Sequence, residues 1–252
     1  MAARRLTFVF ASALVALGLA APAHAQTASS CTFCHSDAAG TLPPIHRTVE
    51  WAASGHAAPS VGCQSCHGGN PAATRALEAH RGVLRSTSPV STINEVNLPS
   101  TCVSCHRTTA VAVSGTIHQI LAEAGDMRTP TCVTCHGIGV SHVPAPAEME
   151  QQCAGCHRAG SRRAAYPAAA REVLDAIASL RASAAALGAE IATMSDSGRR
   201  AELTARLLDT QAMLKDASAA FHQFRPAAMS STLDGIRQRL ADLADAHPSA
   251  QR

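Results

Sequence analysis

Apolar residues follow different rhythms along the chain, and the changes of rhythm divide it. From Leu6 to Ala21 they form a near-continuous run broken by Thr7 and Ser12. Arg4 and Arg5 precede this run. Ala23-His24-Ala25 follows it with a small-x-small cleavage pattern, so residues 1–25 read as a secretory signal peptide and Gln26 as the mature N-terminus. The run is shorter than the ~20 residues a membrane span needs. No later run is long and apolar enough, so the mature chain is expected to be exported and to have no membrane span.

A heptad rhythm fills the C-terminal part, residues 163–252. Val173, Ile177, Leu180, Ala184, Leu187, Ile191 and Met194 step by four and three, which predicts one helix face, with Pro167 suited to the first turn. The stretch Ser195-Asp-Ser-Gly198 interrupts the pattern. Leu203, Leu207, Thr210, Leu214, Ala217, Phe221 and Phe224 repeat it on a second helix, which Pro226 is expected to end. Leu233, Ile236, Leu240 and Leu243 mark a shorter third helix, with Ser230 or Ser231 as N-cap. The prediction is a helical hairpin plus a short third helix.

Neither rhythm reaches the stretch from 26 to 162. Prolines such as Pro43, Pro44, Pro59, Pro71, Pro89 and Pro99 punctuate it, predicting short helices, long loops and no sheet. The expected fold class is therefore mainly α with extensive loops. Aromatics are 3% of the chain, and Phe33 and Trp51 are the only ones in this stretch. Side chains alone cannot fill its interior. The net charge of +3 and the 15% of charged residues offer no basis for nucleic-acid binding.

All ten cysteines explain the missing core. They fall into five Cys-x-x-Cys pairs, each followed directly by histidine: Cys31/Cys34/His35, Cys63/Cys66/His67, Cys102/Cys105/His106, Cys132/Cys135/His136 and Cys153/Cys156/His157. This is the attachment signature of c-type haem. Two thiols form thioethers with one haem, and the adjoining imidazole becomes the proximal iron ligand. Zinc would pair two Cys-x-x-Cys units, and five units do not pair evenly. Disulfides, which export would favour, do not require a histidine after every pair. Five covalently attached haems are expected, in a cytochrome domain over residues 26–162 with little more than 27 residues per haem. Gly68 and Gly137, which follow the second and fourth motifs, suit a tight backbone turn beside a bulky ring.

At these motifs the chain resembles the multihaem c-type cytochromes of bacterial respiration. Trp51-Ala-Ala-Ser-Gly-His56 leading into Cys63-Gln-Ser-Cys66-His67-Gly68-Gly69 is similar to the tetrahaem and pentahaem electron-transfer cytochromes. The long C-terminal helices resemble, more distantly and in pattern only, those of the cytochrome c nitrite reductases. The resemblance implies periplasmic electron carriage by closely packed haems with two histidines on most irons. His56, His80, His118, His142 and His222 are the expected distal ligands, with His46 as the alternative to His222. His247 is assigned no role, and the methionines are read as packing residues.

The implied function is transfer of electrons between a membrane quinol dehydrogenase or another cytochrome and a terminal reductase. No catalytic residue is expected. A homo-oligomer through the C-terminal helices is left open. The alternative is an oxidoreductase acting on a small nitrogen or sulfur compound at one open haem. Against it, the nitrite reductases have Lys in place of His in the catalytic motif, whereas the only lysine here is Lys215, in the helical tail.

Overall fold

Short helices carry the cysteine motifs. α1 spans Ser30–Cys34, α2 Thr48–Ala52, α3 Gln64–His67, α4 Ala76–Ala79, α5 Leu98–Val103, α6 Arg107–Val113, α7 Ile117–Glu123, α8 Cys132–His136 and α9 Pro146–Cys156. The computed structural model describes residues 29–35, 48–57, 61–126, 128–137 and 143–246, with no strand among them. The run read as a signal peptide lies outside the described residues, as do His46, His142, His247 and Met127. None of the described helices is long and apolar enough to cross a membrane.

Local chemistry keeps these helices short. Pro99 and Pro146 sit in the first turns of α5 and α9, where a missing N–H costs nothing. Gly68 and Gly137 close α3 and α8 with φ of 73° and 74°, a conformation that favours glycine. Little packs between the helices. Among the described residues before Tyr166, the buried apolar side chains apart from Pro144 are Ala112 and Met149.

The C-terminal part is built differently. α10 spans Tyr166–Ala192, α11 Ser197–Ala220 and α12 Ser230–Asp245, and each packs on the other two. The heptad residues are their buried faces; Leu203 and Ile236 are 0% exposed. Asp196 caps α11, its side chain accepting from the Arg199 N–H at 3.0 Å. Arg181 donates to Ser218 Oγ (2.7 Å) and ties α10 to α11. The Arg171–Glu150 pair, at 2.8 Å, ties α10 to α9, the helix of the fifth motif. Leu203→Ala should lower the stability of this unit by ~2–5 kcal/mol, because the cavity left in a fully buried seam cannot collapse completely. Thermal melting followed by far-ultraviolet circular dichroism reads the loss.

Two helix boundaries depart from the sequence expectation. Pro226 does not end the second helix, which stops earlier, at Ala220. Phe221–Gln223 tighten into a 3₁₀ turn, Phe224 turns left-handed (φ 53°, ψ 41°), and Pro226 opens a further 3₁₀ turn over Pro226–Ala228. A residue before proline avoids the helical region, and Arg225 accordingly sits at φ −125°, ψ 67°. The third helix is not capped by Ser230 or Ser231. Its N-cap is Met229, with no side-chain hydrogen bond, because the preceding 3₁₀ turn runs directly into it.

Candidate haem centres

One helical turn explains the spacing of the motif. The backbone N–H of His35, His67, His106 and His157 each donates to the carbonyl of the first cysteine of its pair, at 2.8–3.0 Å. Residues i, i+3 and i+4 of a helix share one face. Both thiols and the imidazole of a motif are thereby presented together. No disulfide joins any of the ten cysteines.

The motifs touch in chain order. The Cys63 thiol lies beside that of Cys31, and the Cys102 thiol beside that of Cys132. Cys66 lies beside Cys105, and Cys135 beside Cys153. Backbone links repeat the sequence of contacts. The Ser30 N–H donates to the Pro71 carbonyl (3.0 Å), joining the first motif to the segment after the second. Thr92 donates to the Cys66 carbonyl (2.5 Å) and accepts from Thr101 (2.7 Å), joining the second to the third. α5 packs on α8, joining the third to the fourth. Burial pushes the thiols of Cys63, Cys66 and Cys153 up, and that of Cys135 to about 11.

Four motif histidines face a second histidine from elsewhere in the chain. His35 meets His80 with ring centres 5.8 Å apart, and His106 meets His56 at 5.9 Å. His157 meets His118, and His136 meets His222, both at 6.2 Å. Imidazole–metal bonds of roughly 2.0–2.1 Å place two rings on one metal about 6 Å apart, centre to centre. Of the five expected distal histidines, the structure therefore brings four against motif imidazoles. His142, and the alternative His46, lie outside the described residues.

The partners cross between motifs. His56 and His80 flank the second motif, yet they face the third and the first. His118 precedes the fourth motif and faces the fifth. His222 comes from the 3₁₀ turn after α11. Two of these rings are oriented by the backbone. His80 Nδ1 donates to the Ala76 carbonyl (2.8 Å) and His222 Nδ1 to the Ser218 carbonyl (3.2 Å). A carbonyl only accepts, so the proton is on Nδ1 and the Nε2 lone pair is free for a metal. Burial lowers the pKa of His222, and burial together with nearby His157 and Arg163 lowers that of His118. Both shifts favour the neutral imidazole, the form that binds a metal.

The surroundings fit a large apolar group with polar edges. The exposed large hydrophobic side chains, Leu208 excepted, all lie between Phe33 (81% exposed) and Val143. Buried polar side-chain atoms without a hydrogen-bond partner are Ser30 Oγ, Gln64 Oε1, His118 Nδ1, Thr129 Oγ1 and Tyr166 OH, among the described residues. Each lies in the motif region or at its border, and none lies in α11 or α12. Buried polar atoms are normally satisfied, so these atoms mark places where a further group belongs. Among the described residues, no three His, Cys, Asp or Glu side chains are grouped so as to hold a metal ion by themselves.

Two residues near the centres were not singled out by sequence reasoning. Tyr166 opens α10 with its ring 5.3 Å from that of His157 and its hydroxyl buried. Its being the sole tyrosine was the only available signal. Phe224 packs edge-on against His118 at 4.6 Å; in sequence it reads as the end of the heptad stripe.

Paired thiols on single helical turns, with an imidazole beneath and a second one opposite, are the furnishing of a c-type cytochrome. A family model described as cytochrome c554 and c-prime matches residues 12–68, which include the first two motifs. The match supports a c-type cytochrome with an electron-transfer role and covalently bound haem. No curated protein and no solved structure matches the chain.

Proposed function

We propose that this chain is an exported, periplasmic pentahaem cytochrome that carries electrons through mostly bis-histidine haems. The observation that carries the reading is the set of four imidazole pairs at 5.8–6.2 Å, each pairing a motif histidine with one from outside the motifs. Cys31 and Cys34 hold the first haem between His35 and His80. Cys102 and Cys105 hold the third between His106 and His56, Cys132 and Cys135 the fourth between His136 and His222, and Cys153 and Cys156 the fifth between His157 and His118. The second, on Cys63, Cys66 and His67, takes its distal ligand from His142 or His46. When bound, the haem irons supply reversible one-electron chemistry.

The protein's own contribution is order and ligand type. Motif neighbours in chain order support a relay running from first to fifth. Histidine on both sides of an iron omits the methionine that raises potential, so low potentials are expected. The partners fitting such a carrier are redox proteins: a membrane quinol dehydrogenase or another cytochrome on one side and a terminal reductase on the other.

Protein from a host that matures c-type cytochromes tests the reading. Pyridine haemochrome analysis should give five haems per chain, and the electron paramagnetic resonance spectrum of the oxidised protein should be low-spin. A colourless product of bare-polypeptide mass would end this reading. A high-spin haem that binds nitrite or cyanide would favour an oxidoreductase instead.

A further inference from the structure

We propose that Phe224 is a positioning residue for the fifth haem and that its ring sets the plane of the His118 imidazole. This inference rests on His118 being the distal ligand opposite His157.

The distal histidines are not oriented in the same way. His80 and His222 each have Nδ1 tied to a backbone carbonyl four residues back, at 2.8 and 3.2 Å. A ring held at Nδ1 and at the metal cannot rotate. His118 lacks that anchor, since its Nδ1 is buried with no hydrogen-bond partner among the described residues. Phe224 packs its aromatic ring against the imidazole instead. Its ring centre is 4.6 Å from that of His118 and its plane is inclined at 71°, the edge-to-face arrangement that aromatic quadrupoles favour.

The backbone supports a selected contact. Phe224 is the one non-glycine residue with positive φ among the described residues, at φ 53°. A bulky residue there is a conformational outlier, and such outliers persist where the surroundings over-determine them. Phe221 is buried in the helical core on one side of Phe224, and buried Pro226 follows on the other. The turn Phe221–Gln223 also packs against α6, directly after the third motif. One short turn thus presents His222 to His136 and Phe224 to His118, so the C-terminal helices reach the last two centres together.

The plane of an axial imidazole matters electronically. The angle between the two axial rings governs the splitting of the iron d-orbitals that accept the electron. Near-parallel rings give rhombic ferric signals, and steeply crossed rings give strongly anisotropic ones. The His136–His222 planes are 15° apart and the His157–His118 planes 54°. Releasing His118 changes the second angle and leaves the first alone.

The experiment uses full-length holoprotein and electron paramagnetic resonance with redox titration. His118→Met identifies the fifth haem's signal as the low-spin component that it removes or shifts. Phe224→Gly deletes the ring at a position where glycine adopts positive φ without strain, so the turn is retained. It should move that same component and shift one midpoint potential, with haem content and the other components unchanged. Phe224→Tyr, which keeps the ring edge, should restore the parental signal. If Phe224→Gly leaves the component and its potential in place, Phe224 does not position His118. If His118→Met leaves every low-spin component intact, the ligation of the fifth haem is wrong and this inference falls with it.

Discussion

Without haem, the chain should lose its motif region to protease while its C-terminal helices survive. Ordering a residue's backbone costs roughly 1–2 kcal/mol. Among the described residues between Ser29 and Cys156 there is little side-chain burial to offset that cost: Ala112, Met149 and Pro144 are the buried apolar ones. α10, α11 and α12 share a continuous buried seam from Ala170 to Leu243, which requires no cofactor. A chain expressed in a host that cannot attach c-type haem should therefore yield a resistant fragment starting near Tyr166. Its amide protons should be protected from exchange only within α10–α12. Protection throughout 61–137 in the haem-free chain would show that the polypeptide builds its own core there, contrary to this account.

The second large effect is expected at His222. Replacing it with alanine should convert about one fifth of the low-spin haem, given five motifs, into a high-spin form that binds cyanide. The reason is geometric: the His222 ring faces that of His136 with centres 6.2 Å apart, and it is pre-set by its 3.2 Å bond to the Ser218 carbonyl. His222→Met should keep that haem low-spin and raise its potential, since a thioether opposite histidine favours the ferrous state. Optical spectra with and without cyanide, together with a redox titration, read both variants. An alanine variant that remained wholly low-spin would remove His222 from the fourth centre.

Legibility of the site in sequence followed the distance over which residues act. The proximal half is local. Cys31 and His35, or Cys132 and His136, are one turn apart, so a five-residue motif specifies their geometry. The seam of α10 and α11 is equally regular, and its stripe from Val173 to Leu214 is readable because each step of three or four returns to the same face. The end of α11 departs from its stripe for a related reason. The stripe continues in register through Phe221 to Phe224, while the backbone leaves the helix at Ala220 to satisfy the residue before Pro226. Periodicity reports the apolar face and not the hydrogen bonding of the last turn.

The sequence alone therefore determined the number of Cys-x-x-Cys-His motifs, the histidines that close them, the set of histidines available to stand opposite, and the helical character of both halves. Each of these depends on neighbours within a turn or two. Only the tertiary structure decided which distal histidine meets which motif: His80 with His35, His56 with His106, His118 with His157 and His222 with His136. Those partners are tens of residues apart, and each skips a nearer motif or crosses into another part of the chain. Packing of whole segments brings them together, and no local spacing encodes it.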